Sequence, residues 1–177
     1  MNLFIIILFI LLAIIFLLLI AGLFIKKEYN IERVVFINQS RQKVFDFLKQ
    51  LKNQDQYNKW TSADPQAKKT YTGIDGSIGF IVSWDSTNKQ VGKGEQEIKK
   101  ITEGERIDFE IRFKKPFEGI AHTFMATAAV VEGTKVSWGF SGKNKYPMNL
   151  LYKLFNLENK LGADMSESLN RLKKVVE

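Results

Sequence analysis

The hydrophobic pattern of the chain changes character three times. Across residues 3–25 every position is apolar or glycine, with no polar side at any period. As a helix this run is about 35 Å long, which matches the ~30 Å hydrocarbon core of a bilayer, whereas a helix on a soluble core would show a polar stripe. A cleaved secretory signal is the competing reading, but such a signal begins with a basic segment and has a shorter apolar run. Here only Met1 and Asn2 precede the run, and Ala21, Gly22 and Leu23 make a poor cleavage site. Residues 1–27 are therefore expected to form an N-terminal transmembrane anchor that meets the bilayer through residues 3–25, and residues 28–177 a single domain.

Beyond Lys26 and Lys27 the pattern is that of a globular domain. Glu28, Tyr29 and Asn30 read as a short linker that keeps the domain within about 10–20 Å of the bilayer. The stretch IERVVFI, residues 31–37, is rich in β-branched side chains and predicts a strand. Ser40 is placed as an N-cap, and Val44, Phe45, Leu48 and Leu51 mark one face of a helix of about three turns. The polar stretch NQDQYNKWTSADP, residues 53–65, reads as a second short helix and its exit loop, closed off at Asp64 and Pro65. Tyr57 and Trp60 stand three residues apart in it, on one side of any helical turn.

The third pattern has a period of two. Ile78, Phe80, Val82 and Trp84 alternate with small or polar neighbours, as do Ile107, Phe109, Ile111 and Phe113, and Val136, Trp138 and Phe140. Turn signals separate these runs at Asp75-Gly76, Ser86-Thr87-Asn88, Glu103-Gly104, Lys115-Pro116 and Glu132-Gly133. One apolar and one polar face predict an antiparallel sheet covered on one side. The cover is the last segment. From Pro147, suited to a first helical turn, Leu151, Leu154, Leu161, Met165, Leu169, Leu172 and Val176 recur at helical steps, predicting one helix of up to about 28 residues. Gly162 within it marks a place where another group approaches closely.

Composition narrows the chemistry. The chain has no cysteine and a single histidine, His122, which excludes a disulfide framework and thiolate or His-rich zinc sites. All 19 acidic residues and all but two of the 26 basic ones lie from Glu28 onward. The mild positive excess falls in scattered lysine pairs, which fits a solvated surface first and attraction to anionic headgroups second, and not a nucleic-acid footprint. Glu95 and Glu97 share a strand face and carboxylate pairs do acid–base work, yet beside so many lysines they read as ion-pair partners. The glycines of VGKGEQ lack the following helix that a phosphate cradle needs. The face taken by His122 depends on the turn at Glu132-Gly133. A three-residue loop puts it inside with Phe124 and Trp138; a loop of two or four residues turns it outward.

Taken together, the order of strand, two short helices, six strands and long C-terminal helix resembles the polyketide cyclase/dehydrase and lipid-transport superfamily (SRPBCC, START-like) over residues 31–176. The stretches that carry the resemblance are IERVVFINQSRQKVFDFLKQLKNQDQYNKW, YTGIDGSIGFIVSWDSTNKQVGKGEQEI, FEIRFKKPFEGIAHTFMATAAVVEGTKVSWGFSG and PMNLLYKLF. The resemblance implies an α+β helix-grip fold, in which a curved antiparallel seven-stranded sheet surrounds the C-terminal helix and the short helix pair lies across the open end of an apolar cavity.

The same resemblance implies a small apolar ligand such as a lipid, quinone or isoprenoid. Its expected contacts are Tyr57 and Trp60 at the rim, Phe80, Trp84, Phe109, Phe113, Phe124, Trp138 and Phe140 on the sheet, and Leu154 and Met165 on the helix. His122 and Tyr57 are the polar groups expected to set selectivity. The rings are also bulky enough to fill a solid core, which is the plain alternative. No cofactor, metal or nucleic-acid partner is expected. The family name also implies a cyclase or dehydratase, which needs a buried acid–base group. Chaperone activators share the fold too, and a protein-binding module would show an exposed apolar patch instead of a pocket. Lys26 and Lys27 flank one end of the span and no basic residue flanks the other, so the domain is expected on the cytoplasmic side of the cell membrane, held by a single pass.

Overall fold

A computed structural model describes residues 2–89 and 91–177. Helix α1 (Leu3–Phe24) is long and apolar enough to cross a membrane, and Gly22 is its one buried residue. The domain then runs β1 (Glu28–Ile37), α2 (Arg41–Lys49), a 3-10 turn at Leu51–Asn53 and α3 (Gln54–Tyr57). Strands β2 (Lys68–Thr72), β3 (Ile81–Asp85), β4 (Lys93–Thr102), β5 (Arg106–Lys115), β6 (Gly119–Val130) and β7 (Gly133–Lys143) follow, and α4 (Met148–Leu154) and α5 (Leu157–Val176) end the chain. The strands form one antiparallel sheet in the order β1-β7-β6-β5-β4-β3-β2. This is the helix-grip fold, with α5 on the inner face of the sheet.

Local chemistry explains the elements. The Ser40 hydroxyl accepts the Lys43 N–H and starts α2, whose face of Val44, Phe45 and Leu48 is fully buried. Ile31, Val35 and Ile37 of β1, Ile107 and Phe109 of β5, and Met165, Leu169 and Leu172 of α5 join the same core. Each such side chain contributes about 1.5–3 kcal/mol when buried, so this half of the sheet is firmly closed.

Three expectations from the pattern are corrected. The supposed linker is the start of β1, since Glu28 pairs with Lys143, Tyr29 with Gly142 and Asn30 with Ser141. Without it β7 would expose an edge of unpaired backbone groups, and satisfying them outweighs the turn preference of asparagine. Only residues 25–27 then separate α1 from the domain. The single long C-terminal helix is two helices, because Asn156 takes a left-handed backbone with φ 51°. Asparagine tolerates that conformation, and the apolar spacing continues across the break, so pattern alone joins the pieces. Leu154 consequently leaves the face that meets the sheet and is 62 % exposed. Lastly, the alternation around Ile78 is strand only from Ile81. Gly79 has φ 85°, and Ile78 stays exposed while Phe80 turns into the core.

Gly162 does mark a close approach. The guanidinium of Arg33 occupies the space that a Cβ would take there.

Candidate functional site

The other half of the inner face is not filled. Val82 and Trp84 of β3, Gln96 of β4, Ile111 and Phe113 of β5 and Phe140 of β7 look onto a cavity of about 480 Å³. Leu161 and Asp164 of α5 and the segment around Trp60 close it from the opposite side. The walls are mostly apolar. Trp84 lies flat along its neighbouring strand because Gly94 has no side chain; a Cβ there would stand 2.6 Å from the indole and 2.8 Å from the Arg112 carbonyl. The ring is held by its Nε1, which donates to the Val91 carbonyl at 3.2 Å, and meets Phe113 edge-on at 6.3 Å.

Trp60 is fixed by a clasp between the α3 exit and α5. Helix α3 ends at Tyr57, and Asn58 is extended, with its side-chain oxygen accepting the Trp60 N–H at 3.0 Å. This turn redirects the chain, so the two aromatic residues part company. Tyr57 goes into the core and Trp60 onto the cavity. The Trp60 Nε1 donates to Asp164 Oδ2 at 3.2 Å, and its ring packs against Trp138 at 5.5 Å and Phe140 at 5.8 Å. Lys59 adds ion pairs to Asp164 at 2.8 Å and Glu167 at 2.7 Å, while its backbone N–H donates to Ser168 Oγ. Hydrogen bonds with Asp164 and Glu167 hold the Lys59 ammonium above its ordinary range, and Lys59, then Arg171, hold the Glu167 carboxyl below its own.

Of the residues expected at a ligand, Trp60, Trp84, Phe113 and Phe140 are brought together around the cavity. Trp138 is buried behind Trp60, with its Nε1 donating to Thr123 Oγ1 at 2.8 Å. Phe109 is buried on the same inner face, and Phe80 is buried against Tyr71. Tyr57, 1 % exposed, and Met165, 0 %, belong to the packed core and not to a rim. Burial pushes the Tyr57 hydroxyl well above the ordinary phenol range.

His122 and Phe124 are on the other side of the sheet. Val130 pairs with Gly133, so the β6–β7 loop has two residues, Val131 and Glu132, and Met125 rather than Phe124 stands opposite Trp138. Phe124 covers Gly139 under the Arg106 guanidinium, 3.8 Å away. Glu95 and Glu97 share that outer face with His122's neighbour Glu110. Arg112 bonds Glu95 at 2.6 Å and Glu97 at 2.8 Å, and both carboxyls are held below their ordinary range, Glu95 by Lys114 and Arg112, Glu97 by Arg112 and Lys99. They act as ion-pair partners.

Two polar residues of the site escape a reading of the pattern. Gln96 occupies an inner position between Glu95 and Glu97, and among the described residues its carboxamide has no hydrogen-bond partner. Asp164 is hidden in the polar spacing of α5. The signal for Gln96 was available, because the alternation that sends Glu95 and Glu97 outward sends Gln96 in.

A wider, open hollow shares Phe113, Phe140 and Leu161 with the cavity, reaches Lys26, Tyr146 and Met148, and runs on over the outer face at Arg106, Arg112 and His122. The three shared residues therefore mark the border between the two spaces.

A family model described as polyketide cyclase / dehydrase and lipid transport matches residues 29–177. No curated protein matches the chain in sequence. Among solved structures the chain is similar to protein CV1439 from Chromobacterium violaceum, with 16% identity and a TM-score of 0.59 over 84% of this chain and 96% of that one. It is also similar to the Aha1 dimer from Colwellia psychrerythraea, with 14% identity and a TM-score of 0.59 over 84% and 96%. A third likeness is to the di-domain ARO/CYC StfQ from the steffimycin biosynthetic pathway, with 12% identity and a TM-score of 0.60 over 84% of this chain and 50% of that one. At these identities the likeness is one of fold alone.

The unequal roles of the two neighbouring rings can be measured. Trp60→Ala is expected to fold and to lose clearly less than Trp138→Ala, which loses about 3–5 kcal/mol as a core ring. Chemical denaturation of the two variants checks this; equal losses would place Trp60 in the core.

Proposed function

As the chain belongs to the polyketide cyclase/dehydrase and lipid transport family, we propose that it is a membrane-anchored domain that binds a small apolar molecule, of lipid, quinone or isoprenoid type, in the cavity between Trp60 and Trp84. The observation that carries this reading is the hollow itself. A volume of about 480 Å³ lies within the ~300–1,000 Å³ of ordinary ligand sites, and aromatic walls with few polar groups are what such sites have. An apolar molecule that loses ~300 Å² of surface to these walls gains about 7 kcal/mol before association costs, at ~25 cal/mol per Å².

Selectivity comes from Gln96. Among the described residues it is the polar side chain on the sheet wall without a hydrogen-bond partner, so a ligand hydroxyl or carbonyl in the cavity satisfies it. Asp164 is already shared by Trp60 and Lys59. His122 and Glu97, the groups that an acid–base cyclase reading would use, stand on the outer face, so binding is preferred to catalysis.

The anchor in this reading is α1, with the domain on the cytoplasmic side because Lys26 and Lys27 follow the span. Protease added to intact cells is expected to leave the domain whole; its digestion would reverse the sidedness. For the site, native mass spectrometry of the full chain in mild detergent is expected to find an apolar molecule in near-stoichiometric amount. Gln96→Leu should retain such a molecule about two- to tenfold less well where it bears a hydroxyl or carbonyl, the value of one hydrogen bond. Protein that carries nothing but detergent contradicts the proposal.

A further inference from the structure

The junction between α1 and α4 fixes how the domain stands. Tyr146 Oη donates to the Leu19 carbonyl at 3.2 Å, and Asn149 Nδ2 donates to the carbonyls of Gly22 at 2.7 Å and Ile25 at 3.0 Å. These are carbonyls of the last turns of α1 and its C-cap, some of which lack partners within the helix. Gly22 allows the contact, since a Cβ there would stand 3.3 Å from Leu150 Cβ and 3.4 Å from the Tyr146 ring. Leu19 lies about 7–8 Å back from the end of α1 at ~1.5 Å per residue. A bilayer that covers α1 therefore reaches the level of α4.

The strand register collects further groups at the same level. Glu28 pairs with Lys143, Ala121 with Gly142, and Phe113 with Gly119, so the start of β1, the end of β7 and the β5–β6 turn share one end of the sheet. Leu151, Leu154 and Phe155 occupy one face of α4 and the residue after it, at steps of three and four, and Phe117 stands at the β5–β6 turn. Their exposures are 38, 62, 55 and 65 %. Lys26, Lys27, Lys115, Lys145 and Lys153 lie among them, and none forms a salt bridge among the described residues.

We propose that this end of the domain docks on the anionic headgroup surface of the bilayer that holds α1, with Leu151, Leu154, Phe155 and Phe117 at the acyl boundary and the unpaired lysines at the lipid phosphates. The inference rests on reading α1 as a membrane span. Its consequence is directional. The hollow that shares Phe113, Phe140 and Leu161 with the cavity also reaches Lys26, Tyr146 and Met148, so docking brings that side of the cavity near lipid.

Because the chain has no cysteine, single labels can be placed without background. An environment-sensitive fluorophore is attached to Leu154→Cys, Phe117→Cys, Leu12→Cys and Glu132→Cys in the full chain, reconstituted in phosphatidylcholine vesicles with and without phosphatidylglycerol. Lipids with a nitroxide near the headgroup are expected to quench the labels at 154 and 117, while the label at 132, at the far end of the sheet, stays in water. Removing phosphatidylglycerol should lower the quenching at 117 by about half or more. Quenching by deep nitroxides at 12, with 154 and 117 behaving like 132, would overturn the docking and leave the span intact. A water-exposed label at 12 would overturn both. Quenching at 117 that ignores phosphatidylglycerol would overturn the role of the lysines.

Discussion

A helix is narrower than the sheet it must cover. Seven strands about 4.8 Å apart present an inner face roughly 29 Å across, and a helix with its side chains covers about 10–12 Å of it. α5 lies nearest β1, and α2 closes the neighbouring part of the core with Val44, Phe45 and Leu48. Ile98 of β4 and Ile107 and Phe109 of β5 are still covered, but nothing of helical width remains for the other end of β3, β4 and β5. Their inner side chains, Val82, Trp84, Gln96, Ile111 and Phe113, are therefore left facing space. The cavity follows from this mismatch, and the rest of the site is the means of bounding it.

The boundary is built from aromatic contacts more than from charge. Trp60 touches Trp138 and Phe140, and such ring pairs are worth about 0.5–1.5 kcal/mol beyond the area they bury. The ion pairs of Lys59 with Asp164 and Glu167 are part-exposed, and pairs of that kind contribute about 0–1 kcal/mol. Their use is positional, since they hold the α3 exit against α5 so that the indole stays on the cavity. The outer face has the opposite character. Arg112 among Glu95, Glu97 and Glu110 keeps that side solvated and ties β4 to β5, which leaves the inner face as the place where an apolar molecule loses contact with water.

Much of this was legible in the chain. The strands, their turns, the Ser40 cap and the face of α2 follow from period, propensity and resemblance, and of the residues expected at a ligand Trp60, Trp84, Phe113 and Phe140 face the cavity. What was not legible depended on single backbone conformations. The two-residue β6–β7 loop decides the face of His122 and Phe124, and no residue type specifies it. The left-handed Asn156 divides a continuous apolar stripe. The Asx turn at Asn58 separates Tyr57 from Trp60. The start of β1 was hidden because pairing with β7 is a long-range effect, invisible in Glu28, Tyr29 and Asn30 themselves.

The space between β3–β5 and α5 is hollow. Filling it tests that most directly. Val82 lies on the sheet wall of the cavity, and Val82→Phe adds a ring that points into the space. The measurement is the unfolding free energy of the full chain in detergent, from a denaturant titration. A hollow accepts the ring, so no loss is expected, and filling the space gains up to about 2 kcal/mol. A loss of about 1–3 kcal/mol, the cost of overpacking a filled core, would contradict it.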